Sequence, residues 1–302
     1  MRTGASVKTG EALDHWPAFP PLHVRKVRCG VGARVPFRVL HVTDSHLARI
    51  DARDNDLRKA ELASRRAGSF PFAEHYGCEA VAYARSKGCR LIHTGDAYDF
   101  VSEANLEITG RMFASDDWIA CVGNHEFSKY VGEAKEDEAY KADSADRVAR
   151  AWPNDIAFSS NVICGVNFVS ADNVYYNFAD DFVDRMEAEA GKNLPIVLLC
   201  HVPPFAPGLF ESVLAEHSER CAYLCGVPDE LVSKYSQPDR IEQQRATANT
   251  RKACEYLKSL PLLKAILSGH IHRHWHERFS ETAILYVGAA AYKGEVQEIE
   301  FC

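Results

Sequence analysis

One pattern occurs five times in this chain: a short apolar run ends, and a residue type that can bind a metal follows directly or after one glycine. Runs of four to six apolar or β-branched residues are typical of buried β-strands. Segments with helical spacing lie between them, and this alternation predicts an α/β fold. The five runs cover residues 38–43, 91–94, 118–122, 195–200 and 264–268.

Carboxylate, imidazole and amide side chains follow these runs. In open α/β sheets the ligand crevice lies outside the carboxyl ends of the strands, so side chains placed there should converge on one site. The glycines before Asp96, Asn124 and His270 predict close approach of the backbone there. The segments after the five runs are Asp44-Ser45-His46, Gly95-Asp96-Ala97-Tyr98-Asp99, Gly123-Asn124-His125-Glu126, His201 and Gly269-His270-Ile271-His272.

The rest of the chain predicts a single domain over residues 37–302, after an irregular leader at residues 1–36. Helical spacing with a stop signal favours helices at 74–87, 181–190 and 250–259. The alternating segment 282–301, which contains Gly288 and Gly294, suggests two antiparallel strands. Two stretches read as insertions, near 49–73 and 203–249. The second is rich in proline and lacks a clean period.

Charge and cysteine usage narrow the class of protein. A formal net charge of −7 disfavours bulk binding to nucleic acid or to membranes. No apolar stretch of 18 residues is present, and residues 1–26 lack the apolar core of a secretory signal. Several of the ten cysteines lie inside apolar runs, where a reduced thiol behaves as a small hydrophobic group. We therefore expect a cytoplasmic protein without disulfides.

The five motifs, in this order, resemble those of the calcineurin-like metallophosphoesterases, over roughly residues 37–290. The resemblance implies a four-layer α/β/β/α sandwich of two mixed sheets and two divalent transition-metal ions. One ion would bind Asp44, His46, Asp96 and His272. The other would bind Asp96, Asn124, His201 and His270, with Asp96 as the bridge. This mixture of ligands suits Mn, Fe, Zn or Co better than Ca or Mg.

The same resemblance implies a hydrolytic mechanism. A hydroxide shared by the two metals would attack phosphorus in line. His125, which is not a ligand in the family, would protonate the leaving oxygen as the general acid. Asp99 resembles the carboxylate that orients this histidine.

Departures from relatives point to a subgroup. Protein Ser/Thr phosphatases carry arginines where this chain has Phe100 and Val122, and purple acid phosphatases have a tyrosine ligand where it has Asp99. The remaining resemblance is to bacterial phosphodiesterase-type members, which implies a small phosphoester or nucleotide-type substrate. A phosphomonoesterase, a DNA nuclease and a protein-binding scaffold remain alternatives.

Other polar residues keep two interpretations. His41 and His93 lie three residues before Asp44 and Asp96, so they would either contact the metal ligands or be buried and satisfied by the backbone. The basic residues of the first insertion would either form a solvated helix face or contact the substrate phosphate. They are Arg49, Arg53, Arg58, Lys59, Arg65 and Arg66.

Overall fold

The computed structural model describes residues 20–61, 70–114, 117–129 and 137–302, and these form two mixed β-sheets flanked by helices. The strands are β1 (His23–Cys29), β2 (Phe37–Val42), β3 (Arg90–Thr94), β4 (Trp118–Cys121), β5 (Phe158–Ile163), β6 (Val166–Ala171), β7 (Ile196–Leu199), β8 (Leu263–Ser268), β9 (Trp275–Arg278), β10 (Ile284–Val287) and β11 (Glu295–Phe301). The first sheet has the order β1-β11-β2-β3-β4, and the second has the order β5-β6-β7-β8-β10-β9.

The α-helices of the described ranges include the three predicted from the sequence. They are α1 (Asp56–Glu61), α2 (Ala73–Lys87), α3 (Glu103–Ala114), α4 (Glu138–Ala151), α5 (Phe182–Ala190), α6 (Pro207–Glu216), α7 (Asp229–Val232), α8 (Pro238–Gln243) and α9 (Ala248–Ser259). Helix α2 ends at Gly88, which adopts the left-handed conformation (φ 62°) expected of a C-terminal glycine. Predicted helices 74–87, 181–190 and 250–259 correspond to α2, α5 and α9.

Three apolar clusters fill the spaces between four layers. One lies between the two sheets and includes Ile92 from β3 and Leu199 from β7. The second joins the first sheet to α2, α3 and α4. The third joins the second sheet to α5, α6 and α9. Both faces of each sheet are therefore covered, which explains why the central strands read as continuous apolar runs. The predicted α/β/β/α sandwich is confirmed.

The prediction of an irregular leader up to residue 36 is wrong for residues 23–29. These residues form β1, which pairs in parallel with β11 along its whole length, from His23 opposite Glu295 to Cys29 opposite Phe301. The strand lies at the sheet edge and most of its side chains are at least partly exposed. It therefore lacks the apolar pattern by which the other strands were recognised. Residues 1–19 lie outside the described ranges.

The prediction of two antiparallel partner strands in segment 282–301 is also wrong. Strand β10 lies in the second sheet and pairs with β8 and β9, whereas β11 lies in the first sheet and pairs with β1 and β2. The turn between them, Ala291–Lys293, is a 3-10 helix that carries the chain from one sheet to the other. The sequence pattern identified both strands but not their partners.

The segment 203–249, which has no clean period in the sequence, contains the helices α6, α7 and α8. Its apolar residues belong to the cluster beneath the second sheet; Leu209 and Leu224, for example, are fully buried. Glu277 of β9 accepts hydrogen bonds from the first backbone N–H groups of α6, at Gly208 and Leu209. This segment is therefore packed against the core beside the carboxyl ends of the strands.

All ten cysteines are free thiols. Cys121 and Cys200 are fully buried, as their apolar surroundings in the sequence predicted. Within the described ranges, no helix combines the length and the apolar character needed to cross a membrane.

Candidate metal centre

The two sheets bring the five motifs to one edge of the sandwich. Strands β2, β3 and β4 are parallel neighbours in the first sheet, and β7 and β8 are parallel neighbours in the second. Backbone hydrogen bonds join the loops that follow them: Asp44 N–H donates to Gly95 O, and Gly269 N–H donates to His201 O, both at 3.0 Å. The predicted convergence of the motif residues is confirmed.

Five of the predicted ligand residues have positive φ angles, which are unfavourable for residues with a side chain. The angles are 51° at Asp44, 45° at His46, 55° at Asp96, 71° at His270 and 54° at His272. Each such conformation costs on the order of 1–3 kcal/mol, and these costs concentrate at functional sites. The chain therefore holds these side chains in place at the expense of local backbone strain.

Two glycines make room for the cluster, as the sequence predicted. A Cβ atom on Gly123 would overlap the carboxylate of Asp96, and one on Gly269 would overlap the Thr43 hydroxyl and the carboxylate of Asp44. Any larger residue at these positions would displace a carboxylate of the cluster.

The first group of candidate ligand atoms comes from Asp44, His46, Asp96 and His272, which all lie within 4.8 Å of one another. His272 Nε2 lies 3.2 Å from Asp44 Oδ1, and His46 Nε2 lies 3.7 Å from Asp96 Oδ2. The side chains of Asp44 and His46 are at most 1% exposed. Two carboxylates and two imidazoles converging on one point match the chemistry of a transition-metal site.

The second group shares Asp96 with the first and adds His201 and His270, again within 4.8 Å. His201 Nε2 lies 3.2 Å from Asp96 Oδ2 and 3.2 Å from His270 Nδ1. Asn124 directly precedes His125, whose N–H donates to Asp96 Oδ1 at 3.0 Å. The Asn124 side-chain oxygen is buried and has no hydrogen-bond partner. A buried oxygen without a hydrogen-bond partner, beside such a cluster, is one that a bound cation would satisfy.

Each imidazole of these two groups uses its second ring nitrogen for another contact. Such contacts set the tautomer of a metal-binding histidine and orient its ring. The partners are the Asp99 carboxylate for His46 (3.1 Å), the Thr94 carbonyl for His201 (2.7 Å), the Tyr176 hydroxyl for His270 (3.4 Å) and the Tyr292 hydroxyl for His272 (3.5 Å). The nitrogen that faces the cluster is thereby left available for a cation.

His125 stands beside the first group, with its ring centroid 4.7 Å from that of His46. Its Nδ1 donates to the Asp99 carbonyl at 2.9 Å and lies 3.2 Å from Asp99 Oδ1, so Nε2 is the nitrogen left for a substrate. Burial lowers the pKa of His125, but the charge of Asp96 and the hydrogen bond to Asp99 outweigh it and raise the pKa to about 10. The ionised carboxylates of Asp96 and Asp99 therefore favour the protonated form of the ring.

The remaining charges of the cluster suit cation binding. Burial raises the pKa of Asp44 and Asp96, yet neighbouring histidines (His272 and His201, respectively) outweigh burial and hold both carboxyls ionised. Burial and the charge of His201 lower the pKa of His270 to about 3. Burial also lowers the pKa of His201, but Asp96 raises it to about 9. A cation bound at His201 would compete with that proton.

Glu126 is a buried residue whose role the sequence did not reveal. Its carboxylate accepts hydrogen bonds from the backbone N–H groups of Asp96 (2.8 Å), Ala97 (2.7 Å) and Gly123 (2.5 Å). Burial and the charge of Asp96 raise its pKa, and the hydrogen bonds from these N–H groups oppose that shift by stabilising the carboxylate. Glu126 thus ties together the loops that carry Asp96 and Asn124. Its position directly after His125 was the feature of the sequence that could have indicated this role.

His41 and His93 do not contact the candidate ligands through their rings. His41 Nε2 lies 2.8 Å from the Thr94 hydroxyl, and His93 Nε2 lies 2.9 Å from the Ser45 hydroxyl. Burial lowers the pKa of His41 to about 4 and that of His93 to about 3, so both are neutral. The two rings lie on opposite faces of the first sheet, because His93 pairs with Val42 rather than with His41. Through these hydrogen bonds they support the loops that follow β2 and β3.

Three basic residues of the first predicted insertion are paired with carboxylates, and one of them, Lys59, lies 3.8 Å from Asp56. Arg49 donates to Glu74, and Arg53 donates to Asp51 and, at 2.6 Å, to Glu107. Both arginines are exposed on the surface. The side chain of Arg58 and residues 65 and 66 lie outside the described part of the chain.

The fold and the cluster of aspartates and histidines at the carboxyl ends of its strands are those of an α/β metallohydrolase. The family model for calcineurin-like phosphoesterases matches residues 37–274, well over half of the chain. The chain belongs to that family and is a phosphoester hydrolase by class, as the motifs predicted.

Solved structures give weaker likenesses. A dimetal phosphatase from Danio rerio is 13% identical, with 85% of this chain and 88% of that one covered and a TM-score of 0.48. The calcineurin-like phosphoesterase YfkN from Bacillus subtilis is 12% identical, with 86% and 83% covered and a TM-score of 0.37. NAD nucleotidase from Haemophilus influenzae is 12% identical, with 85% and 46% covered and a TM-score of 0.38. No curated protein matches the chain at a significant level.

Proposed function

We propose that this chain hydrolyses small phosphodiesters, including nucleotide-type esters, at a centre of two divalent transition metals. The observation that carries this proposal is the pair of ligand groups that share Asp96. The first metal would be held by Asp44, His46, Asp96 and His272, and the second by Asp96, Asn124, His201 and His270. Mn, Fe, Zn and Co all suit these ligands.

Two bound metals would supply a water of lowered pKa and would neutralise charge on the phosphate oxygens. The protein's own residues would do the rest. His125 would give its Nε2 proton to the leaving oxygen, and Asp99 would hold the ring through Nδ1. Asp99 Oδ1 also lies 3.1 Å from His46 Nδ1. The same carboxylate would therefore position the general acid and one ligand of the first metal.

The proposed preference for diesters over monoesters rests on the two positions that hold arginines in the protein Ser/Thr phosphatases. Phe100 and Val122 occupy those positions and are fully buried in the core. Arg49 and Arg53 are engaged by carboxylates on the surface. A terminal phosphate carries two negative charges and is best held by a bidentate guanidinium, whereas a diester carries one.

We expect kcat/KM for an aryl phosphodiester to exceed that for the matching monoester by roughly 10- to 100-fold, the worth of one charged hydrogen bond. Steady-state kinetics on bis-p-nitrophenyl phosphate and p-nitrophenyl phosphate, after chelation and addition of Mn²⁺, measure this ratio. A preference for the monoester would contradict the diester assignment and would indicate that another basic residue holds the dianion.

Glu126→Gln tests whether Glu126 holds the ligand cluster in place, because Glu126 is not itself a proposed ligand. The Gln amide would turn a donor toward backbone N–H groups that now donate to a carboxylate, so the loops of Asp96 and Asn124 should shift. We expect metal affinity to fall roughly 10- to 100-fold, as is usual for partners one step removed from the metal. Calorimetric titration with Mn²⁺ measures this, with the exposed Glu107→Gln as the control. Unchanged affinity in Glu126→Gln would show that Glu126 has no part in holding the site.

We infer a cytoplasmic location from the ten free thiols. The net charge of −7 supports a small phosphoester rather than bulk nucleic acid as the substrate. A DNA nuclease would show DNA binding that weakens steeply with salt, which a filter-binding titration would detect.

A further inference from the structure

Tyr223, in the segment between β7 and α9, lies against the candidate metal centre. Its ring packs edge-on against His270, with centroids 6.0 Å apart and planes at 68°. Tyr176 makes a similar contact with His270 at 5.7 Å, but Tyr176 is only 1% exposed. Tyr223 is half-buried and is therefore the more accessible of the two tyrosines beside His270.

The loop that carries Tyr223 is held in a strained conformation. Tyr223 itself has a φ of 55°, and Ser218 and Glu219 have φ angles of 53° and 60°. The N–H of Tyr223 donates to the side-chain oxygen of Gln244, a fully buried residue, at 3.1 Å. Positive φ at three residues with side chains within six positions is costly, and such conformations are retained mainly where function requires them.

A cation and a second polar ring lie beside the Tyr223 ring. The guanidinium of Arg240, on α8, lies 5.6 Å from the Tyr223 ring centroid, and the His217 ring lies 4.9 Å from it at 70°. Arg240 is half-buried and also donates to Gln243. Tyr223 and Arg240 thus form a platform with an aromatic surface and a positive charge.

Tyr223 and His125 contact different groups of candidate metal ligands. His125 lies against His46 of the first group, whereas Tyr223 lies against His270 of the second. In the hydrolysis of a diester, water adds to phosphorus, the bond to the leaving oxygen breaks, and that oxygen takes a proton from His125. The second ester group stays on phosphorus and must occupy space away from His125.

We propose that Tyr223 and Arg240 bind the ester group that stays on phosphorus, and that this group is an aryl ring or a nucleobase. This inference rests on the proposed phosphodiesterase function and specifies its substrate class. Tyrosine and arginine side chains stack on planar rings, and guanidinium groups also favour anions beside them. A methyl ester offers no such surface.

Two diesters with the same leaving group test the proposal: bis-p-nitrophenyl phosphate and methyl p-nitrophenyl phosphate. We expect the Mn²⁺-loaded wild type to have the lower KM for the aryl ester. Tyr223→Ala and Arg240→Ala should raise that KM roughly 5- to 100-fold, the usual loss for one stacking contact, and should raise the KM for the methyl ester far less. Tyr223→Phe should stay near wild type. Controls are Tyr256→Ala, a half-buried tyrosine of the same apolar cluster, and Arg245→Ala, an exposed arginine of the same segment.

Binding of phenylphosphonate and methylphosphonate by calorimetry gives a readout without turnover. Wild type should bind the phenyl compound more tightly, and Tyr223→Ala should lose this difference while keeping its metal content. Equal binding of the two phosphonates by wild type would overturn the proposal even if Tyr223→Ala failed to fold. A wild type that hydrolyses both diesters equally well overturns this inference alone. A metal-loaded wild type that hydrolyses neither overturns the proposed function and this inference with it.

Discussion

Replacement of Asp96 by Asn is expected to remove bound metal and turnover together. Among the described residues, Asp96 is the one that belongs to both candidate ligand groups, the group with His272 and the group with His201. An amide in its place loses the negative charge that attracts both cations. Loss of several kcal/mol of charge stabilisation lowers kcat/KM by on the order of 10³-fold or more. Elemental analysis after desalting and steady-state kinetics measure the two effects.

The exposed Asp117→Asn is a matched control, because Asp117 lies at the surface beside Arg90. It should keep the metal content and the turnover of the wild type. Two tightly bound metals with wild-type turnover in Asp96→Asn would refute the bridging assignment.

Replacement of His125 by Ala is expected to leave metal content near wild type and to lower kcat by about 10²–10⁴, the usual worth of a general acid. The loss should be small for p-nitrophenolate, which leaves without protonation. It should be large for an alkoxide or nucleoside leaving group, whose oxygen must be protonated as its bond to phosphorus breaks. Comparing kcat for the two kinds of leaving group in wild type and variant measures the difference.

Asp99→Asn should show a milder form of this trend, because Asp99 orients the ring rather than transferring the proton. It should also weaken metal binding, since the same carboxylate oxygen contacts His46. His276→Ala, at an exposed histidine of β9, is the control. Loss of a metal in His125→Ala, or equal slowing of both leaving groups, would mean that His125 is a ligand or a binding residue and that the acid is elsewhere.

The sequence predicted the fold and the cluster because both depend on local patterns. A buried strand must be apolar, and a ligand at its carboxyl end needs a particular residue type; both signals are visible at Asp44, Asp96 and His270. The close approach of the backbone at Gly123 and Gly269 was equally predictable, because only a residue without a Cβ lets the backbone come so near the carboxylates.

Features that depend on contacts distant in sequence were not predictable. Strand β1 is defined by its pairing with β11, more than 260 residues away, rather than by its own apolar pattern. The hydroxyls of Tyr176 and Tyr292 reach His270 and His272 from short 3-10 helices that carry no motif. Tyr223 reaches His270 only because α6, α7 and α8 fold back onto the second sheet. Pairing and packing of this kind appear in the folded structure and leave no periodic pattern in the sequence.

Anomalous diffraction from crystals of the Mn²⁺-loaded protein tests the central claim most directly. We predict two peaks per chain about 3.5–4 Å apart, the separation usual for two-metal hydrolytic sites. The Asp96 carboxylate should lie between them, and the Asn124 oxygen, His201 and His270 should surround the second. A single peak, or two peaks that do not share Asp96, would contradict the proposed dinuclear centre.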